Sequence, residues 1–205
     1  QENCDIPVDN IPPCPPLLTV TTDCKESTNL LAWTIPADTC QRDISRYYIY
    51  YSPSAGNLAL IDSLLHQKDT LYIHKPAQSV VGCYGIIAID SAGNRSAMSN
   101  VVCVDYTACP VYTLPNVFSP NGDGINDLFH PFPYTSVSEI NLKIFDRWGK
   151  MVFETKEPDI NWDGKDKTTN QPCSDGTYFF VCDVFEITLT GTVKRSIQGS
   201  LTMLR

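Results

Sequence analysis

The residues best placed to do chemistry lie in one glycine-rich loop, Ser119-Pro120-Asn121-Gly122-Asp123-Gly124-Ile125-Asn126-Asp127. Counting Ser119 as position 1, Asn121, Asp123 and Asp127 fall at positions 3, 5 and 9, Ile125 offers a carbonyl at position 7, and Gly124 takes position 6. That is most of the spacing of an EF-hand-type calcium loop, in which side-chain oxygens and one carbonyl surround a hard cation. Two ligands depart from it: position 1 is Ser119 rather than Asp, and position 12 is His130 rather than the bidentate acid. The missing carboxylates favour a second reading, a turn whose Asn and Asp side chains cap their own backbone amides. Calcium is the one cofactor the residues raise.

Other reactive constellations are absent from the sequence. His66, His74 and His130 have no neighbours at metal-ligand spacing. There is no Gly-x-Ser-x-Gly elbow, phosphate loop, His-Glu-x-x-His or Cys-x-x-Cys. Asp163 and Asp166 are close carboxylates of the kind a glycosidase uses, but they stand beside Lys165 and Lys167 and read as charge in a solvated turn. The expectation is a protein that recognises rather than catalyses.

The elements that position the loop are strands. Fifteen Pro, with many Thr, Ser, Tyr and Val, favour short strands and turns, and no window carries a sustained helical apolar stripe. The length of 205 residues suits one or two domains. Residues before Cys109 hold 11 acids and 6 bases, those from Cys109 onward 12 acids and 9 bases, so the net charge of −8 is spread as −5 and −3. Without a basic stripe, nucleic acid and anionic lipid are not expected partners. Nine cysteines point to an oxidising compartment. No apolar run reaches the ~18 residues of a spanning helix, and no signal peptide opens the chain, which suggests a piece of a longer exported protein.

Residues 1–14 read as a linker or the tail of a preceding module, and residues 15–108 as a first β-sandwich. Its strands are expected at 17–23, 29–35, 46–52, 58–64, 70–74, 83–90 and 100–105, with turn signals between. Tyr47, Tyr48, Tyr50 and Tyr51 form its one aromatic cluster. A hairpin centred on Gly93 pairs residues whose numbers sum to 186, which sets Cys83 opposite Cys103, close enough for a disulfide. Cys14 and Cys40 lie at one end of the usual sandwich layout and make a second candidate pair. Cys4, Cys24 and Cys109 are left unassigned.

Residues 109–205 read as a second sandwich of about seven strands, an estimate from strand spacing. Strands are expected at 111–119, 128–132, 139–146, 151–155, 176–185 and 194–204, with Ile140, Leu142 and Ile144 facing inward. Cys173 and Cys182 look like a local pair but should not bond. An extended 176–182 spans about 20 Å at ~3.3 Å per residue, and residues 173–176 return at most about 10 Å. The remainder exceeds the ~7 Å limit between bridged Cα atoms. The fold class is therefore all-β, two tandem Ig-like or fibronectin III-like β-sandwiches.

Two resemblances sharpen this. Trp33, Tyr84 with Ile86, Ala88 and Asp90, and the loop Asp90-Ser91-Ala92-Gly93-Asn94 resemble a fibronectin type III domain, with Tyr84 as a candidate tyrosine-corner residue. The run Leu114 to Phe129, Ile144-Phe145-Asp146-Arg147-Trp148-Gly149, Trp162-Asp163-Gly164, Asp175 to Val181 and Gly199 to Arg205 resemble, in order, the blocks of the gliding-motility-associated C-terminal domain of Bacteroidetes surface proteins. That family is a type B sorting signal for the type IX secretion system.

The resemblance implies a secreted or cell-surface protein, exported through the periplasm and outer membrane. It implies as partners the type IX translocon and an outer-membrane β-barrel protein of the SprF type. Pro120, Asn121, Gly122, Asp123, Gly124, Asn126, Trp148 and Trp162 are the candidate residues for touching the partner or for organising the loops. Asp62-Ser63-Leu64, Asp69-Thr70-Leu71 and Asp90-Ser91-Ala92 resemble a short O-glycosylation pattern of such exported proteins, and Ser91, on an expected loop, is the best placed. The alternatives are a cell-surface adhesin or carbohydrate-binding module, and a calcium-rigidified structural spacer.

Overall fold

The computed structural model describes residues 9–36, 43–65 and 70–205. The described chain is strand and turn, with a single 3-10 turn at Tyr106–Ala108. No helix among the described residues is long and apolar enough to cross a membrane. The chain divides into two compact units, one running to Pro76 and including Val80–Asp105, the other comprising Ala77–Ser79 and Tyr106–Arg205.

The first unit is a sandwich of two antiparallel sheets. One has the order β1 (Leu17–Asp23), β2 (Thr28–Thr34), β5 (Leu71–His74). The other runs β4 (Ala59–Leu65), β3 (Ile44–Ser52), β6 (Gly82–Asp90), β7 (Val102–Val104). Side chains alternate inward as period-two strands require, so Leu18, Leu31, Trp33, Tyr47, Ile49, Tyr84 and Ile86 fill one core. Trp33 meets Tyr47 edge-to-face at 5.1 Å. Tyr84 is fully buried, and its hydroxyl bonds Asn29 Nδ2 at 2.8 Å and His74 Nδ1 at 2.9 Å. It anchors side chains from the opposing sheet rather than an upstream backbone group, so it is not a tyrosine corner in the strict sense.

Cys83 and Cys103 form the expected disulfide, directly opposite each other. The hairpin that sets them there is not regular. Its turn end pairs Ile89 with Arg95, two short of the register that joins Cys83 to Cys103. The slip is absorbed at Ser96 and Ser99, whose hydroxyls accept the amides of Ala88 and Ile86 at 2.9 and 3.0 Å where the ladder lapses. Cys14, Cys24 and Cys109 are also disulfide-bonded. Cys40 of the second candidate pair, with Cys4, His66 and Asp69, lies outside the described residues.

The second unit has one five-stranded sheet, ordered β10 (Met151–Thr155), β9 (Val137–Phe145), β11 (Gly176–Thr188), β12 (Gly191–Met203), β8 (Val117–Phe118). Its second layer is irregular. The expected strand over 128–132 is reduced to a bridge between Phe129 and Trp162, and that over 111–119 to the two residues of β8. Proline explains both losses: Pro115 ahead of β8, and Pro131 and Pro133 after the bridge, lack the N–H a ladder needs. The core gathers Phe118, Phe129, Ile140, Leu142, Ile144, Trp162, Tyr178, Phe180, Leu201 and Met203. Cys173 and Cys182 are both free thiols, as the reach argument requires.

Candidate recognition surface

Ser119 to Asp127 is a loop closed on itself. Ser119 N–H donates to Asn126 O at 2.8 Å. Both oxygens of Asp127 accept backbone amides, from Gly122 at 2.6 Å and Gly124 at 2.7 Å. Asn121 Oδ1 accepts the amide of Asp123, and Asp123 Oδ1 accepts that of Ile125. Ser119 Oγ reaches Ile125 O, the carbonyl that would face an ion. These are the oxygens of the calcium spacing, and each is engaged within the loop. The two glycines at its turn adopt left-handed φ of 83° and 87°, which brings their amides round to Asp127. The Asp127 carboxyl is held below its ordinary pKa by the same amides of Gly122 and Gly124.

The loop is seated on the Trp162-Asp163-Gly164 turn. Gly164 has φ +77°, and a Cβ there would come within 2.7 Å of Met203 Sδ and 3.0 Å of Pro120 Cγ. Phe129 and Trp162 exchange backbone hydrogen bonds at 2.9 and 3.2 Å. Arg205 then ties three segments: its Nη1 donates to Cys173 O at 2.7 Å and Asp175 Oδ1 at 3.0 Å, and its Nη2 to Gly164 O at 3.4 Å. Sequence blocks far apart along the chain thus converge at one end of the unit.

The two candidate tryptophans part company here. Trp162 is buried, ringed by Phe118, Tyr178 and Phe153 at 5.3, 5.5 and 5.8 Å, with its Nε1–H donating to Lys165 O. It organises the loops and is not available to a partner. Trp148 is 81% exposed at the tip of the β9–β10 hairpin, where Asp146 Oδ1 accepts the amides of Trp148 and Lys150 and Arg147 stacks over the indole at 5.0 Å. Met151 and Phe179, both exposed, lie on the same face of the sheet, paired in turn with Phe145. A groove of about 270 Å³ opens beside Trp148, lined by Asp146, Lys150, Asp166, Cys173, Asp175 and Tyr178 among others.

Asp166 corrects the reading of surface charge. It is buried, and its carboxylate takes Lys150 Nζ at 2.6 Å and the amides of Thr168 and Thr169. The Lys150 contact and those two amides lower its pKa to about 2. Asp163 instead pairs with Lys165 at 2.6 Å in an exposed turn. Asp163 and Asp166 are thus each engaged by a lysine rather than paired with one another.

In the first unit, Ser91 is exposed in its loop, with its hydroxyl donating to Asp43 O at 3.0 Å. Asp90 is buried and grips the loop through Asn94 N and Nδ2, both at 2.8 Å. Asp9, Asp43 and Asp90 bring carboxylate oxygens within 4.8 Å of one another, a grouping that residues so distant in sequence do not announce. The tyrosine cluster is no flat platform: Tyr47 is buried, Tyr48, Tyr50 and Tyr51 are half-buried, and Tyr51 spends its hydroxyl on Val81 O.

Residues 112–203 match the family model of the CHU_C type IX secretion signal domain. No curated protein matches the chain at a significant level. Among solved structures, a two-domain fibronectin type III segment of chicken tenascin is similar over 93% of this chain and 98% of that one, at 14% identity and a TM-score of 0.39. The FN1–FN3 domains of chicken CNTN1 are similar over 96% and 69%, at 12% identity and a TM-score of 0.38. Pectate lyase Pel3 from Pectobacterium carotovorum is similar over 52% of this chain, at 16% identity and a TM-score of 0.36, and the chain spans 34% of that lyase. At these scores the structural likenesses add nothing to the two sandwiches already described from their ladders. Residues 112–203 thus match a type IX secretion signal domain, which makes this a secretion-signal-bearing region and implies a protein exported to the cell surface or secreted.

Proposed function

We propose that the second unit works as a folded recognition signal, read by the type IX translocon and an outer-membrane β-barrel partner of the SprF type after passage through the periplasm. The first unit serves as a fibronectin-like spacer. The mechanism is recognition, without catalysis. The observation that carries this reading is the convergence of the spaced sequence blocks at one end of a unit that matches the secretion signal model, with Trp148 81% exposed beside them. An exposed indole offers a partner a large apolar surface with a polar N–H at its rim, the kind of side chain that anchors interfaces.

The test is a fusion of the full 205 residues, and separately of residues 109–205, to a fluorescent protein with an export signal, in a Bacteroidetes host with and without its type IX system. Surface or medium signal that depends on the system supports the reading. Retention of the shorter fusion alone assigns part of the signal to the first unit. Retention of both removes the sorting role. The adhesin alternative rests on the tyrosine cluster, in which Tyr47 is buried and Tyr48, Tyr50 and Tyr51 are half-buried.

A further inference from the structure

The two edges of the five-stranded sheet are finished differently. At the β10 edge, the amide of Lys167 donates to Val152 O at 2.8 Å and its Nζ to Glu154 O at 2.9 Å. One lysine thereby occupies the outward carbonyls of the strand, a common way to blunt an edge. The β12 edge has no such cover. β8 pairs with it only at Thr202 and Met203, because Pro115 stops the strand from extending upstream.

The outward groups of β12 follow from parity. The amides of Thr202 and Leu204 point away from β11, toward Asn116 O and Phe118 O. The β11–β12 ladder is unbroken from Gly176–Met203 to Thr188–Gly191. The N–H and C=O of Thr192, Lys194, Ser196, Gln198 and Ser200 therefore face the same open edge, and no hydrogen bond from a described residue reaches them. All five residues are exposed.

We infer that this edge takes one extended polypeptide segment of the export machinery by strand addition, which deepens the function proposed above and rests on it. Only a backbone supplies alternating donors and acceptors at the spacing the edge presents. The segment's side chains are specified too. On one face they meet Val193, 49% exposed, and half-buried Ile197, so alternate residues should be apolar. On the other they meet Lys194, Ser196 and Gln198, so the residues between should be polar. Lys194 and Arg195 are already paired with Asp183 and Glu186, at 2.9 and 2.7 Å, so no acidic partner is called for.

The test uses the full chain as an export fusion. Gln198→Pro removes one outward N–H and none that serves the β11 ladder, and no side-chain hydrogen bond from Gln198 is at stake. The exported fraction should fall about five- to tenfold, the loss of roughly one hydrogen bond, with the melting temperature of the purified protein little changed. In a separate variant, benzoylphenylalanine at Gln198 should cross-link during export to a component of the machinery, and benzoylphenylalanine at Glu154, on the blunted edge, should not. If Gln198→Pro unfolds the protein, the cross-link decides. Unimpaired export of a folded Gln198→Pro, no adduct at Gln198, an adduct only to a second copy of the chain, or equal adducts at both edges overturns strand addition while the sorting role stands. A wild-type fusion that is not exported removes both.

Discussion

Lys150 Nζ lies 2.6 Å from Oδ2 of the buried Asp166, joining the β9–β10 hairpin to the long loop that carries Trp162. With the Asp166 carboxyl at about 2 in the folded protein against an ordinary 3.8, the folded state binds its proton more weakly than the unfolded state. The pair's contribution to stability is fully present above pH 3.8 and is lost as the pH falls through about 2. Melting temperatures measured across that window should fall more steeply for the wild type than for Asp166→Asn, which should melt lower at neutral pH.

Trp162→Ala and Trp148→Ala should separate folding from recognition. Removing the enclosed indole should cost about 3–5 kcal/mol, read from urea unfolding. Removing the exposed one should change stability by no more than about 0.5 kcal/mol while reducing type IX-dependent export. Export unaffected by Trp148→Ala in a folded protein would take Trp148 out of the contact.

Calcium should leave the protein's melting temperature where it is. The oxygens of Asn121, Asp123 and Asp127 already accept amides at 2.6–3.0 Å, so an ion would have to displace those bonds. A loop that did bind with a dissociation constant a hundredth of the added calcium would gain about 2.7 kcal/mol, an upward shift easily seen by scanning calorimetry.

The free thiols of Cys173 and Cys182 should differ in reactivity. Burial pushes the Cys182 thiol up to about 12 and raises that of half-buried Cys173 less far. Alkylation of the native protein followed by peptide mass mapping should find Cys173 modified and Cys182 untouched, and both modified after denaturation. Cys83 and Cys103 should label only after reduction.

Alternation located the strands well where chains pair with chains: 17–23 and 151–155 stand as expected to the residue. It failed where proline intervened, because Pro115, Pro131 and Pro133 sit in apolar runs that look like strands yet lack the amides to be paired. A regular hairpin centred on Gly93 predicts the Cys83–Cys103 bridge, but the real hairpin is irregular, since Ser96 and Ser99 hide a two-residue slip inside the loop. Trp148 and Trp162 read alike, each an indole near a glycine turn. Which of them is enclosed depends on Phe118, Phe153 and Tyr178, brought in from three other segments. Asp166 reads as surface charge in the sequence because its adjacent lysines are not its partner. Lys150, sixteen residues back, is.

Lys167 closes one margin of the second unit's sheet and leaves the other open. A sheet open at both margins can pass a strand on from copy to copy and grow into a fibre. One that ends on a lysine at β10 has a single valence. Whatever strand joins β12, the assembly stops there, and a crowded population of these chains awaiting export cannot string itself into a fibre through this sheet.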